Sequence, residues 1–367
     1  MRFNPRLRMS TLLTKPISQA SAKQRAGRAG RTQPGVCYRL YNKVSFDKME
    51  PMSEPGIRRD PLEPLVMDLA SIGWTRPLSF DWLDAPNPED LTRAAGNLVD
   101  WRFLNPEGGS STLNGRYAVR MPLPPLWFHV ILAGAEESCA LDMATIGLLC
   151  EARPPIFERR DPFTQCMNLA HTAFADPLSD HIALLKAFSA YEYVLEKHSQ
   201  DAAIDVEAWC SHHALSKDGL DGVHKQLKDM ATFLLNAKIE PGRTLLTDTV
   251  RLRRALVKGL CTQSAIHYKG LEYRTIYENT PALVSPFSSL WEAQREWIVW
   301  TSFVSTGGNQ TLEVVTAAEP EWLVDLPYFN IDRMATTHDG KLTLLQIIES
   351  LGKARRASSA TNKGTRY

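Results

Sequence analysis

Gln24-Arg25-Ala26-Gly27-Arg28-Ala29-Gly30-Arg31, preceded by Ser18-Gln19-Ala20-Ser21-Ala22, is the stretch on which the reading of this chain turns. Its arginines recur at every third position, separated by alanine and glycine. At about 100° per residue, this spacing predicts a helix with Arg25, Arg28 and Arg31 in one broad arc and Gln24 beside Arg28. A glycine inside a helix costs roughly 1 kcal/mol against alanine. Close approach of the backbone to a partner or a phosphate is the usual compensation. A planar guanidinium grips phosphate oxygens in a bidentate way, and an arginine supplied across a cleft answers the charge that builds in phosphoryl transfer. The residues alone leave two plainer readings open: a basic helix face lying on nucleic-acid backbone, and a solvated one.

Composition bounds the rest. The chain has 367 residues, 44% of them hydrophobic and 23% charged, which suits two or three soluble globular domains with a sizeable core. A formal net charge of +1 excludes a general polycation, so any nucleic-acid surface must come from local asymmetry. Residues 1–31 carry basic side chains and no acidic one, and Lys353, Arg355, Arg356, Lys363 and Arg366 repeat the bias after Gly352. The six cysteines are scattered without a C-x-x-C pair, which predicts reduced, mostly buried thiols rather than a disulfide frame or zinc site. Cys210, His212 and His213 lie close together but have no second ligand cluster, so no metal site is expected. No stretch approaches the ~18 consecutive apolar residues of a membrane span, and no apolar signal core opens the chain. The expectation is an intracellular protein that does not enter a membrane.

Outward from the arginines, residues 1–15 read as an extended segment and a short strand, with Ser18 as the N-cap of the motif helix. Thr32-Gln33-Pro34-Gly35 is a turn by composition, and Val36-Cys37-Tyr38-Arg39-Leu40-Tyr41 alternates like a strand. Strand, helix, turn and strand make a sliver of a RecA-like α/β lobe. Leu62, Leu65, Val66, Leu69 and Ile72 form a helical stripe. A second helix over 88–103 and a turn at Asn105-Pro106-Glu107-Gly108-Gly109 then suggest a winged helix, although periodicity alone also fits a generic helical unit. Helical patterns follow over 126–134, 138–152, 164–175, 179–197, 204–215 and 220–238, with no catalytic constellation among them. A helix from Arg251 through Gly259 to Ile266 precedes β-rich runs at Leu271–Tyr277, Leu283–Val284, Trp297–Val304 and Thr311–Val315. These runs suit a small barrel of OB type. Its aromatics, Tyr268, Tyr273, Tyr277, Trp300 and Phe303, either stack on bases or fill the barrel core. A helix over Leu342–Leu351 leads into a basic tail read as disordered.

The arginine octamer resembles motif VI of superfamily 2 helicases, Q-R-x-G-R-x-G-R, and the DEAH-box RNA helicases in particular. Asn4-Pro5-Arg6-Leu7-Arg8 with Ile17–Ala22 looks like that family's lead-in, and Pro34–Tyr41 like its exit. Pro55-Gly56-Ile57-Arg58-Arg59 and Phe80-Asp81-Trp82-Leu83-Asp84-Ala85-Pro86 are similar to its winged helix. Asp180-His181-Ile182-Ala183-Leu184-Leu185 with Trp209-Cys210 resembles its ratchet bundle. Arg253–Leu260 with Glu319-Pro320-Glu321-Trp322-Leu323 resembles its OB region. The matches run in order along nearly the whole chain. Two departures are Ser285 before Pro286, where the family often has histidine, and Asp176-Pro177-Leu178-Ser179, which lacks its usual turn glycine.

The resemblance implies an α+β chain organised as follows: a remnant of the second RecA-like lobe carrying motif VI over 1–50, a winged helix over 51–121, a ratchet-like bundle over 122–238, an OB-fold over 239–335, and a C-terminal helix and basic tail over 336–367. It implies that Gln24, Arg28 and Arg31 face ATP, with Arg28 and Arg31 as catalytic fingers toward the γ-phosphate, Gln24 positioning the attacking water, and Arg25 making structural contacts. ATP and Mg²⁺ are the cofactors of the full-length family. Neither is expected to bind tightly here, because these residues contain no G-x-x-x-x-G-K-[ST] P-loop and no D-E-x-[DH] box. The expectation is therefore the C-terminal part of an RNA helicase, whether a truncated product, an incomplete gene model or a real fragment. The alternative is a non-catalytic module that binds RNA or a partner protein. Implied partners are single-stranded RNA and a protein activator docking on the winged-helix and OB region, with a nuclear location favoured over a cytoplasmic one.

Overall fold

Ser18 does begin a helix: its hydroxyl accepts from the Ser21 N–H at 3.1 Å, and α1 (Gln19–Ala26) follows. The structure, a computed structural model, describes residues 2–4, 9–12, 16–158, 164–276, 278–306, 308–324, 326, 329 and 341–364. Pro5-Arg6-Leu7-Arg8, Tyr277 and Arg366, all singled out above, lie outside the described residues. Before α1, β1 (Arg2–Asn4) and β2 (Met9–Leu12) pair antiparallel.

The helix stops sooner than the arginine spacing predicts. Gly27 caps α1, its N–H reaching Lys23 O, and Gly30 sits at φ +82°, outside helical space. A Cβ on Gly35 would lie 2.7 Å from Gly30 N, so these glycines fold the loop against itself rather than onto a partner. Val36–Tyr41 is not a strand: it is irregular, and Val36, Tyr38 and Leu40 are exposed. Alternation alone does not make a strand where no neighbouring strand offers a ladder. A short α2 (Lys43–Asp47) follows, and the Gln19 side-chain amide donates to the carbonyls of Phe46 and Met49, both at 3.2 Å.

The next unit packs α3 (Glu63–Ser71) against α4 (Pro88–Asp100) through Val66, Met67, Leu91, Ala94 and Leu98. Ile72, assigned to the buried stripe by its spacing, is instead exposed. A single antiparallel bridge, Leu104 to Ser111, marks the wing-like turn. Beyond it lies a helix that the residue pattern concealed, α5 (Leu113–Arg120). Asn114-Gly115 reads as turn chemistry, yet Thr112 caps the helix by accepting from Gly115 N at 3.0 Å. Gly115 is required there because a Cβ would stand 2.2 Å from Phe103 O.

Six helices make the bundle: α6 (Pro125–Glu136), α7 (Ala140–Glu151), α8 (Thr164–His171), α9 (Asp180–Gln200), α10 (Val206–His212) and α11 (Lys217–Asn236). Helix α7 is buried at every position from Ala140 to Leu149, so it forms the centre. Packed on α6 is α12 (Thr249–Gly259), so close that a Cβ on Gly259 would lie 2.5 Å from Val130 Cα. This helix ends at Gly259 instead of running on to Ile266. The Ser264 hydroxyl donates to Cys261 O at 2.7 Å, the chain turns, and the apolar run Ala265–Ile266 belongs to a strand.

That strand opens a five-stranded barrel: β3 (Ser264–Lys269), β4 (Glu272–Thr275), β5 (Pro281–Val284), β6 (Trp297–Thr306) and β7 (Asn309–Ala318). Its order is β3-β4-β5-β7-β6, closed by β6 on β3, with only the β5–β7 pair parallel. Closure of this kind removes free edges. One edge stretch of β6 remains beyond its pairing with β3, and β2 covers it in parallel, Ser10 to Leu12 beside Val304 to Thr306. The N-terminal strands thus extend the barrel sheet rather than form one of their own. After α13 (Pro320–Leu323), α14 (Lys341–Gly364) packs Ile347, Leu351 and Ala354 into the main core. The tail read as disordered is therefore helical through Gly364. Ala354, Arg355, Arg356 and Ala357 are strong helix formers, and the Trp297 indole donates to Ser350 Oγ at 2.8 Å.

Candidate nucleic-acid interface

Gln24 and Arg25 lie on α1, whereas Arg28 and Arg31 lie in the loop after it. All four side chains are exposed. Among the described residues, none of the four has a side-chain hydrogen bond or ion pair. The expected common helix face is absent, because the helix ends at Ala26. The segment is anchored behind them instead. Gln19 N–H donates to Glu50 O at 2.9 Å, Ala20 N–H to Pro51 O at 3.1 Å, and Ser18 Oγ meets Ser53 Oγ at 2.9 Å.

The junction of bundle and barrel is constructed differently. Residues Leu178–His181 run along β7. Ala317 N–H donates to Leu178 O at 2.8 Å, and Val315 N–H to Asp180 Oδ2 at 2.9 Å. Asp180 Oδ1 also accepts from Ser289 N–H at 3.1 Å, and the Ser289 hydroxyl donates to Asp176 O at 2.6 Å. Burial pushes the Asp180 carboxyl above its ordinary value, against the pull of these donors. His181 is wholly buried, with Nδ1 2.8 Å from Thr316 Oγ1 and Nε2 2.5 Å from Thr301 Oγ1. Burial pulls its pKa down to about 3, so the ring is neutral and serves as a cross-brace rather than an acid or base. On the other side, the buried Arg253 of α12 donates to Ala317 O at 2.9 and 3.1 Å and to Glu319 at 2.7 Å, with its guanidinium 4.9 Å from the Trp322 ring centre.

Beside this junction is a crevice of about 280 Å³ whose lining includes Phe157, Asn168, His171, Ser288, Phe287 and Val314. The sequence reading missed it. Asp180 looks there like an ordinary first-turn acid after a serine cap, and nothing in the spacing pairs it with Ser289 or Val315. Of the barrel aromatics, for which stacking on bases and filling the core were both open, Tyr273, Trp300 and Phe303 are buried in the barrel core. Tyr268 is half-buried, with the Arg274 guanidinium 4.9 Å from its ring centre. Cys210, His212 and His213 make no metal centre. His213 Nδ1 donates to Trp209 O at 2.9 Å, and the ring packs on that indole. Among the described residues, no cluster of three metal-ligating side chains occurs and no helix is long and apolar enough to cross a membrane. Burial raises the Cys139 thiol to about 12 and the Cys210 thiol to about 11, which removes both as nucleophiles at neutral pH.

Residues 252–327 match a family model described as an oligonucleotide/oligosaccharide-binding (OB)-fold, and they take in most of α12, the barrel and α13. Over 330 residues the chain is 31% identical to the pre-mRNA-splicing factor ATP-dependent RNA helicase prp22 of Schizosaccharomyces pombe, covering 88% of this chain. This chain carries a DEAH-box helicase C-terminal region. It spans 27% of the length of that relative. The identity over 88% of the chain and the mixed α+β architecture both agree with a helicase C-terminal region.

Proposed function

We propose that this helicase region grips single-stranded RNA for an ATP-dependent RNA helicase acting in nuclear RNA processing, such as pre-mRNA splicing. The observation that carries the reading is the 31% identity sustained over 88% of the chain. An OB barrel braced to a helical bundle supports it as a platform for RNA. In this reading Arg28 and Arg31 reach the γ-phosphate of ATP held by an opposing lobe, and Gln24 positions the attacking water. Their exposure, free of competing ion pairs among the described residues, leaves them available for that role. ATP and Mg²⁺ belong to the complete enzyme. The winged-helix and OB surfaces are the places for a protein activator.

The second reading, a non-catalytic RNA-binding or partner-binding module, is favoured by one observation: no P-loop or acidic box occurs in these 367 residues. The test is RNA binding by the purified chain across a salt series, with ATP hydrolysis measured in parallel. Binding should weaken with salt at a log–log slope of about −0.7 for each phosphate neutralised on a single strand, and no RNA-stimulated hydrolysis should appear. A salt-independent affinity contradicts the electrostatic grip. Hydrolysis that Arg28→Ala abolishes contradicts the division of labour between this region and a P-loop lobe.

A further inference from the structure

A second recess, of about 470 Å³, lies where four parts of the fold meet. Phe3 of the β1–β2 hairpin, Pro64 of α3, Leu126 of α6 and Phe303 of the barrel wall it. The hairpin is held there from two sides. Phe3 N–H donates to Arg59 O at 2.9 Å, and β2 pairs with β6. Mostly apolar walls with a few polar groups between packed units are the usual form of a small-ligand site.

The charged groups of this recess are of one sign. Among the described residues that line it there is no lysine, arginine or histidine, while Asp60 and Glu63 bring two carboxylates. Glu63 is half-buried and has no ion pair among the described residues; its Oε1 accepts from the Asn97 side-chain amide at 2.8 Å. Asp60 meets the adjacent Arg59 at 3.4 Å, but both side chains are half exposed, so solvent screens that pair. A carboxylate in the first turn of α3 answers the helix dipole and by itself says little. Gln263 adds an independent observation. It is only 6% exposed, and its Nε2 donates to Trp300 O at 3.2 Å and Thr301 O at 3.1 Å. The amide is thereby fixed, and Oε1 is left as an acceptor with no donor among the described residues. The Trp101 indole N–H also lacks a partner, but it is sealed from solvent and is not offered to a ligand.

We propose that this recess binds a small organic cation, an apolar or aromatic body carrying one amidinium, guanidinium or ammonium group. The body lies against Phe3, Pro64 and Leu126, and the cationic head meets the carboxylates of Glu63 and Asp60 and the Gln263 Oε1 acceptor. Phosphates are repelled by the same carboxylates, so the site is separate from the RNA-binding reading and does not rest on it. An occupant touches hairpin and barrel together and ties one to the other.

The experiment titrates three probes of nearly the same shape into the full chain, followed by saturation-transfer NMR: cationic benzamidine, neutral benzamide and anionic benzoate. Benzamidine should bind about tenfold more tightly than benzamide, and benzoate should not bind. Glu63→Gln, which keeps an acceptor for Asn97, should lower benzamidine affinity about tenfold and leave benzamide unchanged. Asp60→Asn, at an exposed position, should lower it by a smaller factor and supplies the test if Glu63→Gln fails to fold. Phe3→Ala should weaken benzamidine and benzamide equally. Equal affinity for benzamidine and benzamide in the unaltered chain overturns the proposal, as does failure of both to bind. A preference for benzamidine that survives intact in Glu63→Gln and in Asp60→Asn places the cation elsewhere and overturns it too.

Discussion

Two regions of this chain, the arginine segment and the bundle–barrel junction, are opposites. Between Gln24 and Leu40 almost every side chain is exposed, and the anchoring bonds lie behind it at Ser18, Gln19 and Ala20. At the junction, Ser179, His181, Arg253 and Thr316 are buried polar groups with their hydrogen bonds made within the fold. The arginine pattern is a local repeat of one residue type at every third position, visible without any long-range contact. The junction residues are constrained by what they bury, which is set by contacts 64 to 137 positions away in sequence.

If that contrast is right, substitutions should have very unequal effects. Arg253→Ala should be the most damaging, lowering stability by about 3–5 kcal/mol in urea denaturation, because it breaks a buried charged network and leaves Ala317 O without its donor. His181→Gln should come next, through pH. The His181 pKa of about 3 lies below the ordinary histidine value, so its neutral form's contribution is complete above about pH 6.5 and is lost as pH falls toward 3. Asp142, raised to about 6 by burial, works in the opposite sense over its own window, so the two proteins must be compared at each pH. The stability advantage of the unaltered chain over His181→Gln should shrink by about 3 kcal/mol between pH 7 and pH 4. A constant difference would mean that the ring is not buried neutral. Arg28→Ala and Arg31→Ala should each change stability by no more than about 0.5 kcal/mol. A larger loss at either would show the loop to be structurally tied.

Legibility in the sequence divides along the same line. Helices α6, α9 and α11 were readable because their apolar faces repeat with helical period over three or more turns. Leu104–Arg120 was half legible: its turn glycines were plain, but Asn114-Gly115 hid α5, where the glycine serves packing on Phe103 O. Strand β3 was concealed because Ala265 and Ile266 continue the apolar text of α12. The tail defeated composition-based reading, since basic and small residues also suit a helix whose other face finds a core. For the candidate sites, Arg28 and Arg31 stand out in the sequence by their spacing, but the common helix face that spacing predicts is absent. The crevice was invisible, because Asp180, Phe287 and Val314 are brought together only by the packing of the bundle against the barrel.

Native-state hydrogen exchange on the full chain tests this contrast directly. The account predicts that the amides of Val315 and Ala317, bonded to Asp180 and Leu178, exchange as slowly as the centre of α12. The amides from Arg28 to Leu40 should exchange near the rate of an open chain. Protection across Gln24–Arg31 equal to that of α12, or rapid exchange at Val315 and Ala317, would contradict it.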